Sequence, residues 1–155
     1  MSTALEVPAI NRFTNIVRAF YVKLDMLAPL SNLAIRLWVA NVFFKSGLTK
    51  IQTWDSTLYL FENEYSVPLL PPDIAAMLGA SIELGFPVLL VLGLMGRFSA
   101  IVLFLFNIMA VISYPDLNPA GLVQHQMWGI MLLVPLLQGP GKLSIDHLIA
   151  RKFKL

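Results

Sequence analysis

Cysteine is absent from the 155 residues. That removes disulfides, thiolate metal sites, iron–sulfur clusters and thiol redox chemistry from what this chain does by itself. Charge is scarce as well: Asp, Glu, Lys and Arg make up 13% of the sequence, about half the share of a soluble domain. The net charge of +2 is dispersed without a basic run, so nucleic acid is not an expected partner. No hydrolase triad, phosphate-binding loop or dinucleotide fingerprint occurs. The first 28 residues lack an apolar signal core and a small-residue cleavage site, so membrane entry is expected through the first true span. What is abundant is apolar surface. Hydrophobic residues form 57% of the chain, against about 45–50% in soluble domains, and the length suits one compact unit.

Four stretches have the length and apolar content to cross the roughly 30 Å hydrocarbon layer as helices. They run over about 30–53, 73–95, 98–114 and 120–137. The expected fold is all-α: an integral membrane four-helix bundle, preceded by an amphipathic interfacial helix. Residues 1–28 form an N-terminal cytoplasmic, interfacial segment, 29–138 the membrane domain and 139–155 a cytoplasmic basic tail. Residues 1–10 read as an irregular lead with a turn at Pro8. From Asn11 to Leu27, Phe13, Ile16, Val17, Phe20, Leu24 and Leu27 recur at helical spacing, which suits a helix lying on the membrane surface. Pro29 with Ser31 and Asn32 predicts a break and an N-cap for the first span. Between the first two spans lie Trp54, Tyr59, Phe61 and Tyr65 but no Lys or Arg, as expected of a short helix and turn at the membrane–water interface. Arg12, Arg18, Lys23, Arg97, Lys142, Arg151, Lys152 and Lys154 all fall on one side of a four-span topology. The positive-inside rule then puts both termini in the cytoplasm of a bacterial inner membrane.

The chemistry-bearing residues are the polar ones inside the spans. A cation near the middle of a spanning helix costs roughly 2.5–3.5 kcal/mol on insertion scales, so it needs protein, water or a counter-charge. The first span carries Arg36, Asn41, Lys45 and Lys50. Residues 14 apart differ by about 40° around a helix, so Arg36 and Lys50 share a face with Phe43 and Gly47, while Asn41 and Lys45 mark a second stripe. Glu83 lies near the middle of the second span beside the small residues Gly79 and Ala80, within reach of Arg36 and Lys45. Asn107 and His125 complete an intramembrane polar cluster. Pro87 and Pro135 are expected to kink their spans. A haem on His125 lacks a second histidine, since His147 lies at the opposite end. Met109, Met127 and Met131 read as packing rather than as ligands, and no metal site is expected. Three readings of the cluster stand open: hydrogen bonds that fix helix register, a polar pocket for a redox-active or proton-linked small molecule, and a docking surface.

Three ordered motifs resemble the DoxX family. They are Arg36 followed by Phe44-Lys-Ser-Gly-Leu-Thr-Lys-Ile51, the stretch Glu83-Leu-Gly-Phe-Pro-Val-Leu-Leu-Val-Leu-Gly-Leu-Met-Gly-Arg97, and Gly139-Pro-Gly-Lys-Leu-Ser-Ile-Asp146. The matching positions include Arg36, Gly47, Lys50, Glu83 and Arg97, and Lys45 is an addition to the usual pattern. The resemblance implies a four-helix protein of the bacterial inner membrane. It also implies links to thiosulfate:quinone oxidoreduction and to membrane oxidoreductase complexes that handle oxidative or thiol stress.

The leading expectation is an accessory membrane subunit of a redox or stress-response system, a poor oxidoreductase alone, with quinone as the candidate cofactor. A quinone would rest against Trp38, Phe43 and Trp128, with Arg36, Lys50 or His125 giving hydrogen bonds. Alternatives are a small proton-coupled transporter built on Glu83 and Arg36, or a scaffold that recruits a partner protein. The expected partners are the lipid bilayer, a redox or stress-response protein and, given the large lipid-facing surface, a second copy of the chain.

Overall fold

The structure, a computed structural model, describes residues 7–153, with side chains from residue 14. All regular elements among them are helices: α1 (Val7–Asp25), α2 (Ala28–Gln52), α3 (Trp54–Asn63), α4 (Pro72–Leu92), α5 (Gly96–Ser113), α6 (Pro119–Gln138) and α7 (Ile145–Phe153). The last two residues, Lys154 among them, and the first six lie outside the described residues. Four helical stretches are long and apolar enough to cross a membrane, namely the α1–α2 unit from Thr14 to Gln52, then α4, α5 and α6.

Helix begins earlier at the N-terminus than expected. Pro8 sits in the first turn of α1, where its missing N–H has no intrahelical partner to lose. Ile16, Phe20, Leu24 and Leu27 are all exposed, and among the described residues α1 does not pack extensively on the bundle, as suits a surface helix whose apolar stripe meets lipid. The expected break before the first span falls at Met26–Leu27, just ahead of Pro29, and the expected N-cap at Ser31-Asn32 is corrected. α2 starts at Ala28 with Pro29 in its first turn, again a position that tolerates proline. Ser31 Oγ donates to the carbonyl of Ala28 within that turn (2.9 Å), and Asn32 is free to reach the tail.

The four long helices form a ring in which α2 lies between α4 and α6, and α5 between α4 and α6. Short connections impose the alternating up–down course. The core is Val39, Ala40 and Phe43 from α2, Leu90 from α4, Ala100 and Leu103 from α5, and Leu132 from α6. Without a hydrophobic drive between helices in lipid, close packing at small residues must hold such a ring. Gly47 shows how close: a Cβ there would lie 2.9 Å from the Glu83 Cβ, so α2 and α4 nearly touch at that level. A second cluster, Phe61, Ala75 and Ala76, seats α3 on α4 at one end of the ring. Thr57 Oγ1 donates to the carbonyl of Lys50 (3.0 Å) and ties α3 to the end of α2. Pro87 and Pro135 both lie inside their helices and are buried.

Candidate functional site

The buried charges separate into two sites at opposite ends of the ring. Arg36 is wholly buried and, among the described residues, meets no carboxylate directly. Its guanidinium donates to the carbonyls of Leu90 (3.1 Å) and Val91 (3.0 Å) at the C-terminal end of α4, and to that of Leu143 in the tail. Helix C-termini leave carbonyls unpaired and carry partial negative charge, so a cation there is doubly favoured. Gly93 ends α4 with φ +64°, and a Cβ there would lie 2.6 Å from an Arg36 nitrogen, so glycine answers both the left-handed turn and the close approach.

Asp146 provides the mirror image. Its carboxylate accepts from the N–H groups of Met95 (2.9 Å) and Gly96 (2.8 Å) at the start of α5, where an anion is favoured. Its own N–H donates to the carbonyl of Gly93 (3.0 Å), and Asn32 Nδ2 donates to that of Gly139 (3.2 Å). Ser144 Oγ accepts from the His147 N–H (3.1 Å) to cap α7. The 139–146 stretch is thus stitched across the α4–α5 turn, with a cation on one helix end and an anion on the other. Residues of all three sequence motifs, Arg36 of the first, Leu90 to Gly96 of the second and Gly139 to Asp146 of the third, are joined here in structure.

The second site lies at the α3 end. Lys50, not Arg36 or Lys45, pairs with Glu83: Nζ donates to Oε2 at 2.6 Å, with the two side chains 18% and 6% exposed. Helical side chains lean toward their N-terminus, which tips Lys50 from the last turn of α2 down onto Glu83, and Nζ also donates to Ser46 Oγ (3.0 Å). Arg36 bonds α4 at Leu90, seven residues past Glu83, or about 10 Å along the helix. The expected Glu83–Arg36 pair, and the carrier built on it, are therefore not supported. Asn41 and Lys45 are exposed on the outward face of α2, so they do not belong to the cluster.

Asn107 and His125 are joined to each other. Asn107 Nδ2 donates to the backbone carbonyl of His125 (2.9 Å), and its Oδ1 lies 2.8 Å from His125 Nδ1. The His125 ring packs edge-on to Trp128, centroids 4.8 Å apart, and Trp128 in turn to Phe43 at 6.2 Å. Trp38, by contrast, is 64% exposed and faces outward. A quinone pocket shared by Trp38, Phe43 and Trp128 does not form, because Trp38 and Phe43 occupy opposite sides of α2.

A cavity of about 480 Å³ lies instead between α4 and α5, under α3 and the segment that follows it. Its inner wall presents Lys50, Glu83, Ser113 and His125, and its roof Phe61, Tyr65 and Tyr114. The roof rings stack edge to face, with centroids 5.0 Å apart for Phe61–Tyr65 and 5.1 Å for Tyr65–Tyr114. The Ser66 N–H donates to the Ser113 carbonyl (2.8 Å), closing the roof onto α5. Burial, then Tyr114, Glu64 and Glu83, push the Tyr65 phenol above its ordinary value, so its hydroxyl stays intact. Leu78, Leu105 and Met109 are exposed and rim the lateral opening. Ser113 Oγ is buried without a hydrogen-bond partner. Sequence reasoning missed Ser113, Tyr65 and Tyr114 as cavity residues, since each alone reads as an ordinary interfacial side chain. Among the described residues, no three His, Asp or Glu side chains come together as a metal-binding group. Met127 faces outward while Met131 packs on the core, so the methionines do not form one soft site.

The sequence can be compared with those of known proteins. The DoxX family model matches residues 31–115, from the first turn of α2 to the end of α5. An uncharacterized protein of Haemophilus influenzae is 33% identical over 133 residues, covering 79% of this chain and 85% of its own. No solved structure matches. With four apolar helices in a ring, and a family model spanning more than half of its length, this multi-pass membrane protein belongs to the DoxX family.

Proposed function

We propose that the chain is an accessory membrane subunit of a redox or stress-response system, and that its cavity holds the head of a quinone-class carrier from the lipid phase. One observation carries this reading. A roughly 480 Å³ space, within the range of about 300–1,000 Å³ usual for small-molecule sites, combines a buried ion pair, a histidine held by Asn107 and an aromatic roof. Its apolar rim faces sideways, toward where lipid would be. A molecule with an aromatic, hydrogen-bonding head and an apolar tail suits both parts. Without cysteine the chain brings no thiol or iron–sulfur carrier, so electron transfer falls to a partner protein.

The same reading places the protein in a bacterial inner membrane with both termini cytoplasmic. Arg97 and Lys142 lie at the Arg36 end, and Asp55, Glu62, Glu64 and Asp116 at the α3 end, which accords with the positive-inside rule. Of the described residues, 7–28 then lie along the cytoplasmic surface, 29–138 form the membrane domain, and 139–153 the tail.

Quantifying quinone that co-purifies with the protein tests this, with Ala110→Phe as the control. Ala110 lines the cavity, and the ring fills it. Near-stoichiometric quinone in the native protein, reduced to background in a variant of equal thermal stability, is the expected result. Equal quinone in both proteins, or background in both, overturns the reading.

A further inference from the structure

The Asn107–His125 pair fixes what the cavity can accept. Asn107 spends its amide N–H on the His125 carbonyl, so its Oδ1 faces His125 Nδ1 as an acceptor, and the shared proton must come from the ring. A neutral imidazole protonated at Nδ1 has a bare lone pair at Nε2. No protein donor among the described residues meets that nitrogen, and His125 lines the cavity. Glu83, acceptor-only when ionised, stands on the same wall and takes Lys50 through Oε2. The donors on the same lining, the third N–H of Lys50 and the Tyr65 and Tyr114 hydroxyls, can serve either redox form, so the discrimination falls to Nε2. A quinone carbonyl offers lone pairs only and would leave Nε2 unpaired. A quinol hydroxyl brings the missing proton.

We propose that the cavity selects the reduced, hydroxyl-bearing form of its aromatic carrier, with His125 Nε2 accepting the ring hydroxyl and Asn107 acting as the positioning residue that holds the tautomer. This rests on the quinone-class reading of the cavity and adds to it the redox form that is bound. A buried acceptor left unpaired weakens binding by roughly tenfold or more, so the two redox forms should differ by at least that factor.

The test is binding of a short-tailed quinol, the matching quinone and the quinol dimethyl ether to the full chain in lipid nanodiscs, under anaerobic conditions. Quinol binding at least about tenfold tighter, with the ether behaving like the quinone, is the expected result. His125→Phe and Asn107→Leu should erase the preference while quinone binding persists. Asn107→Asp, whose carboxylate favours an imidazolium with a proton on Nε2, should turn the preference toward quinone, a reversal that a merely structural role would not give. Equal binding of the two forms, or tighter binding of quinone, overturns the selection and leaves the cavity reading standing. No binding of any of the three removes both.

Discussion

Lys50→Met separates a functional ion pair from a packing accident. In the native protein Nζ lies 2.6 Å from the Glu83 carboxylate, whose side chain is only 6% exposed. Removing the cation strands a carboxylate among helices, and breaking a buried pair from one side costs about 3–5 kcal/mol. Glu83→Gln is the milder half. Lys50 is two residues from the end of α2 and 18% exposed, so its arm can swing toward the interface, and a loss of about 1–3 kcal/mol is expected. The double variant Lys50→Met/Glu83→Leu removes both charges together. Its stability should return to within about 1 kcal/mol of native, because apolar side chains of similar volume replace buried pairs at little cost. Unfolding in mixed micelles, followed by tryptophan fluorescence, gives the three free energies. Strictly additive losses in the double variant would refute the pairing. A stable double variant that no longer binds quinone would show that the pair serves the cavity rather than the fold.

At the other end, Asp146→Ala removes two charge-assisted hydrogen bonds from the start of α5. We expect a loss of about 2–3 kcal/mol, with proteolysis of the tail accelerated before the ring opens; an unchanged cleavage rate would contradict the stitching of 139–146. Tyr65 gives a pH signature. With its folded pKa above the ordinary value near 10, its contribution is full below about pH 10 and is lost as pH rises through the folded value. Native protein should therefore lose more thermal stability than Tyr65→Phe on going from about pH 9 to 11, and parallel curves would exclude the effect. The topology is open to thiol labelling without background, because the chain has no cysteine. Cysteines introduced at Glu62 and Asp116 should react with an impermeant reagent from outside intact cells, and one at Lys142 only after lysis; the reverse pattern inverts the orientation.

Apolar run length and turn residues made the four spans legible, because a chain that must satisfy its backbone inside lipid has few options beyond helix. The partners of the buried charges were less so. Helical periodicity placed Arg36 and Lys50 on one face, yet it carries no information on how far along α4 each would meet a partner. Arg36 found carbonyls because the glycine turn at Gly93 exposes them at its level. Lys50 found Glu83 because Gly47 brings the two helices together one turn away. Trp38 was drawn toward the site by residue type alone, whereas its position on the wheel sends it outward. The cavity was beyond sequence reasoning altogether, since α3 roofs it with side chains that reach their places through tertiary packing. Resemblance to the family motifs did point to Asp146, whose role in capping α5 only the folded chain discloses.

The most direct measurement is photolabelling with an azido-quinone in native membranes, with labelled peptides mapped by mass spectrometry. Label concentrated on α4 around Gly79 and Glu83 and on α5 between Val102 and Ser113, and displaced by excess quinone, is the expected result. Label spread over the outward face around Trp38, or undisplaced by competitor, would contradict a quinone-class site in the α4–α5 cavity.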